Sequence, residues 1–398
     1  LSSAASDVYK RQYISQAGLA RRITELYFVN PAQAQDRTGK TYLVLASNNY
    51  LGFTHAPEVI EAASRAALKF GTGSSGSRLT TGGTFIASEL EKRLADFKHS
   101  ESALVFNTGY MTNLGILYGL LQTGDVVFSD ELNHASIIDG CRISRCKVVV
   151  YKHNDMADLQ RLLETEIVTG QRFIVTDGVF SMDGDIADLP SLAVLKKQFN
   201  ACLIVDDAHG VGVIGNDGSG TASHYGLTDV IDLQVGTLSK ALAAEGGYVA
   251  GKKILIDYLI NRSRPFIFST ALAPATLAAA NAALLLLQTQ ASKYLDSLRA
   301  NSRLMRRLLL EGGLNVVEGI TPIIPVVIGE AGLTMQFADR LKSKGILVSG
   351  IRPPTVPRGE SRLRITVTAA HCEEQLRQAA QIITALWQEL KHGEKKEG

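Results

Sequence analysis

From about residue 100 to 260, short β-branched runs alternate with amphipathic segments, the order expected of parallel strands joined by crossover helices. The runs are Ala103 to Phe106, Val126 to Ser129, Lys147 to Tyr151, Arg172 to Asp177, Cys202 to Asp206, Ile231 to Val235 and Tyr248 to Gly251. Open sheets of this kind gather ligands outside the carboxyl ends of their strands. Asp177, Asp206 and the turn that carries Lys240 fall at such ends, so residues far apart in sequence are predicted to share one crevice.

Beyond residue 260 the pattern changes. Pro265 to Ser292 carries no charge, yet Pro274 and polar residues such as Ser269, Thr270, Thr276, Asn281, Gln288 and Gln290 interrupt it. It therefore reads as a loop followed by a buried, alanine-rich helix opening near Pro274, not as a membrane span. A charged helix over 292–311, strands at Ile323 to Ile328 and Arg362 to Thr368, and helices near 333–344 and 373–391 then predict a smaller α/β unit. The expected organisation is an N-terminal segment over 1–47, a large domain over 48–290 with a mainly parallel seven-stranded sheet, and a small C-terminal domain over 291–398. The charged tail from Lys391 is expected to lack structure.

Composition narrows the function. Lysine and arginine number 41 against 39 aspartates and glutamates, which gives no electrostatic case for nucleic acid or an acidic membrane. Four scattered cysteines suit neither a disulfide scaffold nor a zinc site, and a reducing cytoplasm is the expected setting. The N-terminal stretch has no signal-type apolar core, and residues 1–12 read as non-native sequence without functional weight.

Candidate chemistry centres on Lys240, which ends the turn Gly236-Thr237-Leu238-Ser239-Lys240 downstream of Asp206-Asp207-Ala208-His209. A lysine forms a Schiff base with an aldehyde such as pyridoxal 5′-phosphate when its amine is partly deprotonated. That chemistry also needs a carboxylate at the pyridine nitrogen, small residues around the phosphate, and a flat group over the ring. Asp206, ending a buried run, suits the first need, because a buried carboxylate requires a cationic partner. Asp207 is better read as a helix cap.

Thr237 and Ser239 suit the phosphate, as does the turn Thr108-Gly109-Tyr110, whose amides would face an anion from a helix N-terminus. Such turns are also ordinary caps. His134 and His209 are read as ring-stacking and hydrogen-bonding groups, although either alone would pass for a structural histidine. Arg352, before Pro353-Pro354-Thr355, is a rigidly held candidate for a substrate carboxylate; Arg362 and Arg364 alternate on a strand with similar standing. Gly71 to Gly76 matches a dinucleotide fingerprint but follows a helix, so the stretch to Gly83 reads as a glycine-rich loop.

Taken together, Ser47 to Gly52, Asn133 to Ser136, Asp177 to Gly184, Asp206 to Gly210 and Gly236 to Lys240 resemble the signatures of the α-oxoamine synthases of the fold-type I pyridoxal-phosphate superfamily. Within that family, Ile351 to Pro357 is similar to the member that joins L-alanine to a pimeloyl thioester in biotin synthesis. The resemblance implies Lys240 as the Schiff-base lysine, Asp206 at the pyridine nitrogen, His134 over the ring, and Ser181 and His209 near the phenolate oxygen. It also implies Gly109, Tyr110 and Thr237 at the phosphate. Substrate contacts are implied from Arg21 (with Arg22 the adjacent alternative), Asn48, His134, Arg352 and Thr355.

A homodimer is implied, with the 71–83 loop and Ser269-Thr270 serving the neighbouring subunit's cofactor. Whether the acyl group arrives on coenzyme A or on an acyl carrier protein stays open. The alternatives are a sister synthase using glycine with acetyl-CoA or succinyl-CoA, a fold-type I aminotransferase or decarboxylase, and a non-catalytic dimeric binding protein.

Overall fold

The computed structural model describes residues 23–397, with side chains through residue 391. Its largest sheet runs Ser102–Phe106, Gly247–Gly251, Leu233–Thr237, Ala201–Asp206, Arg172–Asp177, Val126–Asp130, Lys147–Tyr151. Gly247–Gly251 lies antiparallel to both neighbours, and the other pairs are parallel. The central strands are buried along their whole length, as expected of a sheet with helices on both faces.

On one face pack the helices Phe85–Phe97 and Pro274–Glu311, around Leu90, Leu94, Leu284 and Leu287. On the other lie Gly109–Leu120, Ala135–Ile143 and Lys253–Arg262, around Ile116, Leu117, Ile137 and Leu259. Each such fully buried leucine or isoleucine contributes about 1.5 to 3 kcal/mol of transfer free energy. Side-chain caps at Thr84, Asp155 and Asp188 fix where three of the helices begin.

The strand expected over Ile231 to Val235 starts two residues later, at Leu233, and continues through Gly236 to Thr237. Asp232 is diverted from the ladder by an ion pair with Lys196 at 2.8 Å and by the amide of Leu203, also at 2.8 Å. The two helices expected on either side of residue 291 are one element, Pro274–Glu311, bent at Gln290 (φ −133°, ψ 27°). Neither glycine nor proline stands at that point, so nothing in the chain stops the helix there. The tail from Lys391 likewise continues the last helix, Glu373–Glu397.

A second core gathers Leu45, Met305, Phe337, Leu363, Leu376 and Trp387 around the antiparallel strands Ile323–Gly329, Ser361–Thr366 and Ser349–Ile351. The N-terminal strands join this unit, because Thr41–Val44 pairs in parallel with Ile346–Leu347. Segments distant in sequence thus meet in the smaller unit.

One buried ion pair ties the large unit together. Lys98, with no exposed side-chain surface, lies 3.0 Å from Asp207 and also donates to the carbonyl of Ser219. Asp207 in turn accepts from the amide of Thr221 at 2.9 Å, so it caps the short helix Thr221–His224 from a distant strand end. Removing one member of a buried pair leaves the other charge uncompensated. Lys98→Ala should therefore lower unfolding free energy by about 3 to 5 kcal/mol in chemical denaturation, and adding Asp207→Asn should recover part of that loss.

Candidate active site

At the carboxyl ends of the strands lies a cavity of about 160 Å³ lined by Gly109, Tyr110, Asn113, His134, Ser136, Asp177, Val179, Ser181, Asp206, Ala208, His209, Thr237 and Lys240. Eight of the residues singled out from sequence meet here: Gly109, Tyr110, His134, Ser181, Asp206, His209, Thr237 and Lys240. Each reaches the cavity because its strand or turn ends at the same sheet edge.

Asp206 closes the strand Ala201–Asp206 and is buried. One carboxylate oxygen accepts from the side-chain amide of Asn113 at 2.6 Å and the other from the backbone amide of Ala208 at 3.0 Å. Asn113 also donates to Ser136 Oγ at 2.8 Å, which holds Asp206 against the two helices that open on the site. Asp177 lies directly across in the ladder. Burial and the neighbouring Asp206 carboxylate push the Asp177 carboxyl well above the usual range.

Burial brings Lys240 down from an ordinary amine value to about 8, against the opposing pull of Asp206 and Asp177; the Arg364 charge lowers it further. A sizeable fraction of its amine is therefore neutral at pH 7 to 8. Burial likewise holds His209 well below the usual imidazole range, reinforced by Lys240 and Arg364. His209 is thus a neutral hydrogen-bonding group, with Nδ1 2.6 Å from the Tyr50 hydroxyl. His134, at the N-cap of Ala135–Ile143, has Nδ1 2.7 Å from Ser136 Oγ and is lowered mainly by burial. Its backbone amide donates to Asp177 at 3.1 Å.

At the cavity's other end the helix Gly109–Leu120 opens. Thr108 is exposed and accepts from the amide of Met111, which makes it the cap and keeps its hydroxyl out of the cavity. The first-turn amides of Gly109 and Tyr110 have no helical acceptor and point outward from the N-terminus. A Cβ on Gly109 would lie 3.5 Å from the Thr237 hydroxyl, so backbone and hydroxyl approach closely there. Thr237 and Ser239 both direct their hydroxyls to the carbonyl of Gly246, at 3.0 and 3.2 Å, and Ser239 does not line the cavity.

The remaining substrate candidates are dispersed. Arg21 lies outside the described residues. Arg352 is half-buried in the turn after Ser349–Ile351, where its carbonyl accepts from the amide of Thr355 at 3.1 Å; neither residue lines the cavity. Asn48 reaches the site through Arg364, which donates to its side-chain oxygen at 3.2 Å. Arg364 is buried, also donates to the Ser181 carbonyl and to Thr366 Oγ1, and lies close enough to lower both Lys240 and His209. Strand alternation put Arg362 and Arg364 on an equal footing; only packing separates them, since Arg362 pairs with Asp183 and Glu360. Asn113 stands in no motif read from the sequence, and Ser136 falls within the Asn133 to Ser136 segment with no role assigned to it there.

The glycine-rich stretch is a compact loop. Ser77 bridges Thr270, Ser74 donates to the carbonyl of Ala271 at 2.6 Å, and a Cβ on Gly82 would fall 2.2 Å from the Gly76 carbonyl. Asn107 also donates to the carbonyl of Thr270 at 2.7 Å, joining this loop to the turn that leads into Gly109.

The profile of the aminotransferase class I and II family matches residues 40–383. The 8-amino-7-oxononanoate synthase of Lysinibacillus sphaericus is 47% identical over 93% of this chain and 95% of its own length. That of Geobacter sulfurreducens is 50% identical over 88% of this chain and 90% of its own. Among solved structures, a serine palmitoyltransferase from S. paucimobilis bearing a PLP-myriocin aldimine superposes with a TM-score of 0.91 at 31% identity, covering 97% of this chain and 98% of that one. The 8-amino-7-oxononanoate synthase of Francisella tularensis superposes with a TM-score of 0.75 at 30% identity, over 88% and 98%. With its long helix, mostly parallel seven-stranded sheet and smaller C-terminal unit, the chain belongs to the class I and II aminotransferase family and has the fold-type I architecture.

Proposed function

We propose that the protein is a pyridoxal 5′-phosphate-dependent acyltransferase that condenses L-alanine with a pimeloyl thioester, releasing carbon dioxide and the free thiol carrier and giving 8-amino-7-oxononanoate for biotin synthesis. The observation that carries this reading is the cavity in which an amine held near 8 faces a buried carboxylate. The chain that builds it is about half identical to 8-amino-7-oxononanoate synthases over nine-tenths of its length.

The donor set suits the cofactor. A neutral-prone amine, a buried acid with a face on the cavity, and free helix-terminal amides beside a glycine are the three anchors such a ring, aldehyde and phosphate require. When bound, pyridoxal 5′-phosphate supplies an aldehyde for the amine and a protonated ring that accepts the electrons of a breaking bond at Cα. Lys240 holds the attachment point and then carries the Cα proton. Asp206, fixed by Asn113 and the Ala208 amide, keeps the ring nitrogen protonated. His134 gives a flat surface, Ser181 and neutral His209 offer hydrogen bonds, and Gly109, Tyr110 and Thr237 form the anion end.

Arg364 is the guanidinium we favour for the alanine carboxylate, because it is buried, its charge acts on both Lys240 and His209, and Asn48 orients it, although like Arg352 it does not line the cavity. Arg352, Thr355 and Arg21 remain proposed contacts for the rest of the substrates. A homodimer with the 71–83 loop and the Ser269-Thr270 turn near the partner's cofactor, in the cytoplasm, completes the reading. No described helix is long and apolar enough to cross a membrane.

The strong superposition on serine palmitoyltransferase favours a second reading, a sister synthase with another amino acid or acyl chain. Assays pairing L-alanine, glycine and L-serine with pimeloyl-CoA, the pimeloyl carrier-protein thioester, acetyl-CoA and palmitoyl-CoA separate the two. Only L-alanine with a pimeloyl donor should turn over efficiently; preference for glycine or serine would replace the first reading with the second.

Lys240→Ala should abolish the borohydride-reducible adduct and lower kcat by at least about 10³-fold, since one residue serves as both nucleophile and base. In the unmodified protein, the rate of adduct formation should rise with pH through a midpoint near 8, because only the neutral amine attacks. Arg364→Ala should raise the KM for L-alanine about thirty-fold, the loss of a buried charge-assisted grip worth about 2 kcal/mol or more, with Arg352→Ala affecting it less. Equal effects in steady-state kinetics would return the carboxylate to Arg352.

A further inference from the structure

Outside the cavity, a half-buried histidine has no part in the chemistry above. His153 follows the strand Lys147–Tyr151, and its ring stands edge-on to Phe180 with centroids 4.4 Å apart. Nδ1 lies 3.0 Å from Asp130 and Nε2 3.0 Å from Asp185, so both ring nitrogens meet carboxylates. Two such partners can both be satisfied only by the doubly protonated imidazolium. Although burial opposes the charge, the two carboxylates hold His153 up at about 10.

The two partners belong to different loops. Asp130 ends the strand Val126–Asp130 and organises the turn into His134: it accepts from the amides of Leu132 and Asn154, both at 2.9 Å, and its carbonyl accepts from the amide of Asn133 at 3.2 Å. Asp185 lies on the loop that bears Ser181, where its carbonyl accepts from the amide of Phe180 at 3.0 Å and Val179 bridges Ile186. Asn154 adds a neutral strut from the same side, donating to the carbonyl of Ile186 at 3.1 Å. The other charged group facing this turn is Glu131, which accepts from the backbone amide of His153 at 2.8 Å.

We propose that His153 is a positioning residue whose imidazolium ties the His134 turn to the Ser181 loop and so sets the spacing of the two sides of the active-site cavity. The inference rests on the proposed cofactor site, but the bridge itself does not. Misplacement of about 1 Å at a reacting centre costs on the order of 10²-fold in rate, so a slackened bridge should show in kcat while the anion end and Lys240 still hold the cofactor.

The test compares holoenzymes of the unmodified protein, His153→Phe, Asp185→Ala and Asp185→Asn by kinetics, adduct formation at Lys240, and amide hydrogen exchange. His153→Phe, which keeps the ring packing and loses both donors, should retain the Lys240 adduct, lower kcat at least ten-fold, and speed exchange in both Glu131 to His134 and Val179 to Ile186. Asp185→Ala should do the same, and Asp185→Asn, which keeps an acceptor, should recover most of the rate. Should His153→Phe fail to fold, the Asp185 pair decides: alanine and asparagine behaving alike would overturn the proposal. Faster exchange in only one segment would also overturn it, leaving His153 a local cap. An unmodified protein that forms no adduct at Lys240 would remove the cofactor reading while the exchange result still judged the bridge.

Discussion

The structure depends on keeping ionisable groups together at the dry end of a parallel sheet. Asp177 and Asp206 close adjacent strands in register, and two carboxylates that close cannot both shed their protons in a medium of low dielectric. The amides on Asp206 and the nearby Lys240 and Arg364 ease the conflict, and burial with Asp206 alongside raises Asp177. The same crowding holds Lys240 partly neutral and His209 wholly so. Reactivity at this site is thus a consequence of charge burial, arranged by strands that all end at one edge.

Around this centre the supporting contacts form two sets. Lys98 and Asp207 anchor the residue next to Asp206 from beneath, linking the helix Phe85–Phe97 to the turn after the strand. Arg364 approaches from the smaller unit and reaches Ser181 and Asn48, so the C-terminal sheet and the N-terminal chain are tied to the cavity wall through Ser181. The long helix Pro274–Glu311, bent at Gln290, carries both cores and fixes how these units face one another. A site assembled from so many segments needs rigid spacers, and the buried side-chain networks around Asp130, Asn133 and Asn154 serve that purpose.

Much of this was legible along the chain. Six of the seven large-sheet strands were located within one residue, because strands buried on both faces must be apolar along their length and the half-exposed edge strand Lys147–Tyr151 is still rich in β-branched residues. The seventh was displaced because Gly236 and Thr237 look like a turn locally, yet continue the ladder beside Gly247 and Tyr248. The break expected near residue 291 was a shift from apolar to charged composition, which changes what a helix packs against without ending it.

The order of residues by itself determined that Asp177, Asp206 and the turn carrying Lys240 would stand at strand ends, since hydrophobic periodicity fixes where each strand stops. It also determined that Gly109 would open a helix. Tertiary packing alone decided which arginine acts on the amine, because Arg362 and Arg364 occupy equivalent positions on one strand and differ in what lies opposite. It decided too that Asn113 holds Asp206 and that Asp207 belongs to Lys98. Charge state and orientation depend on burial and on partners tens or hundreds of residues away, and no local pattern encodes those neighbours.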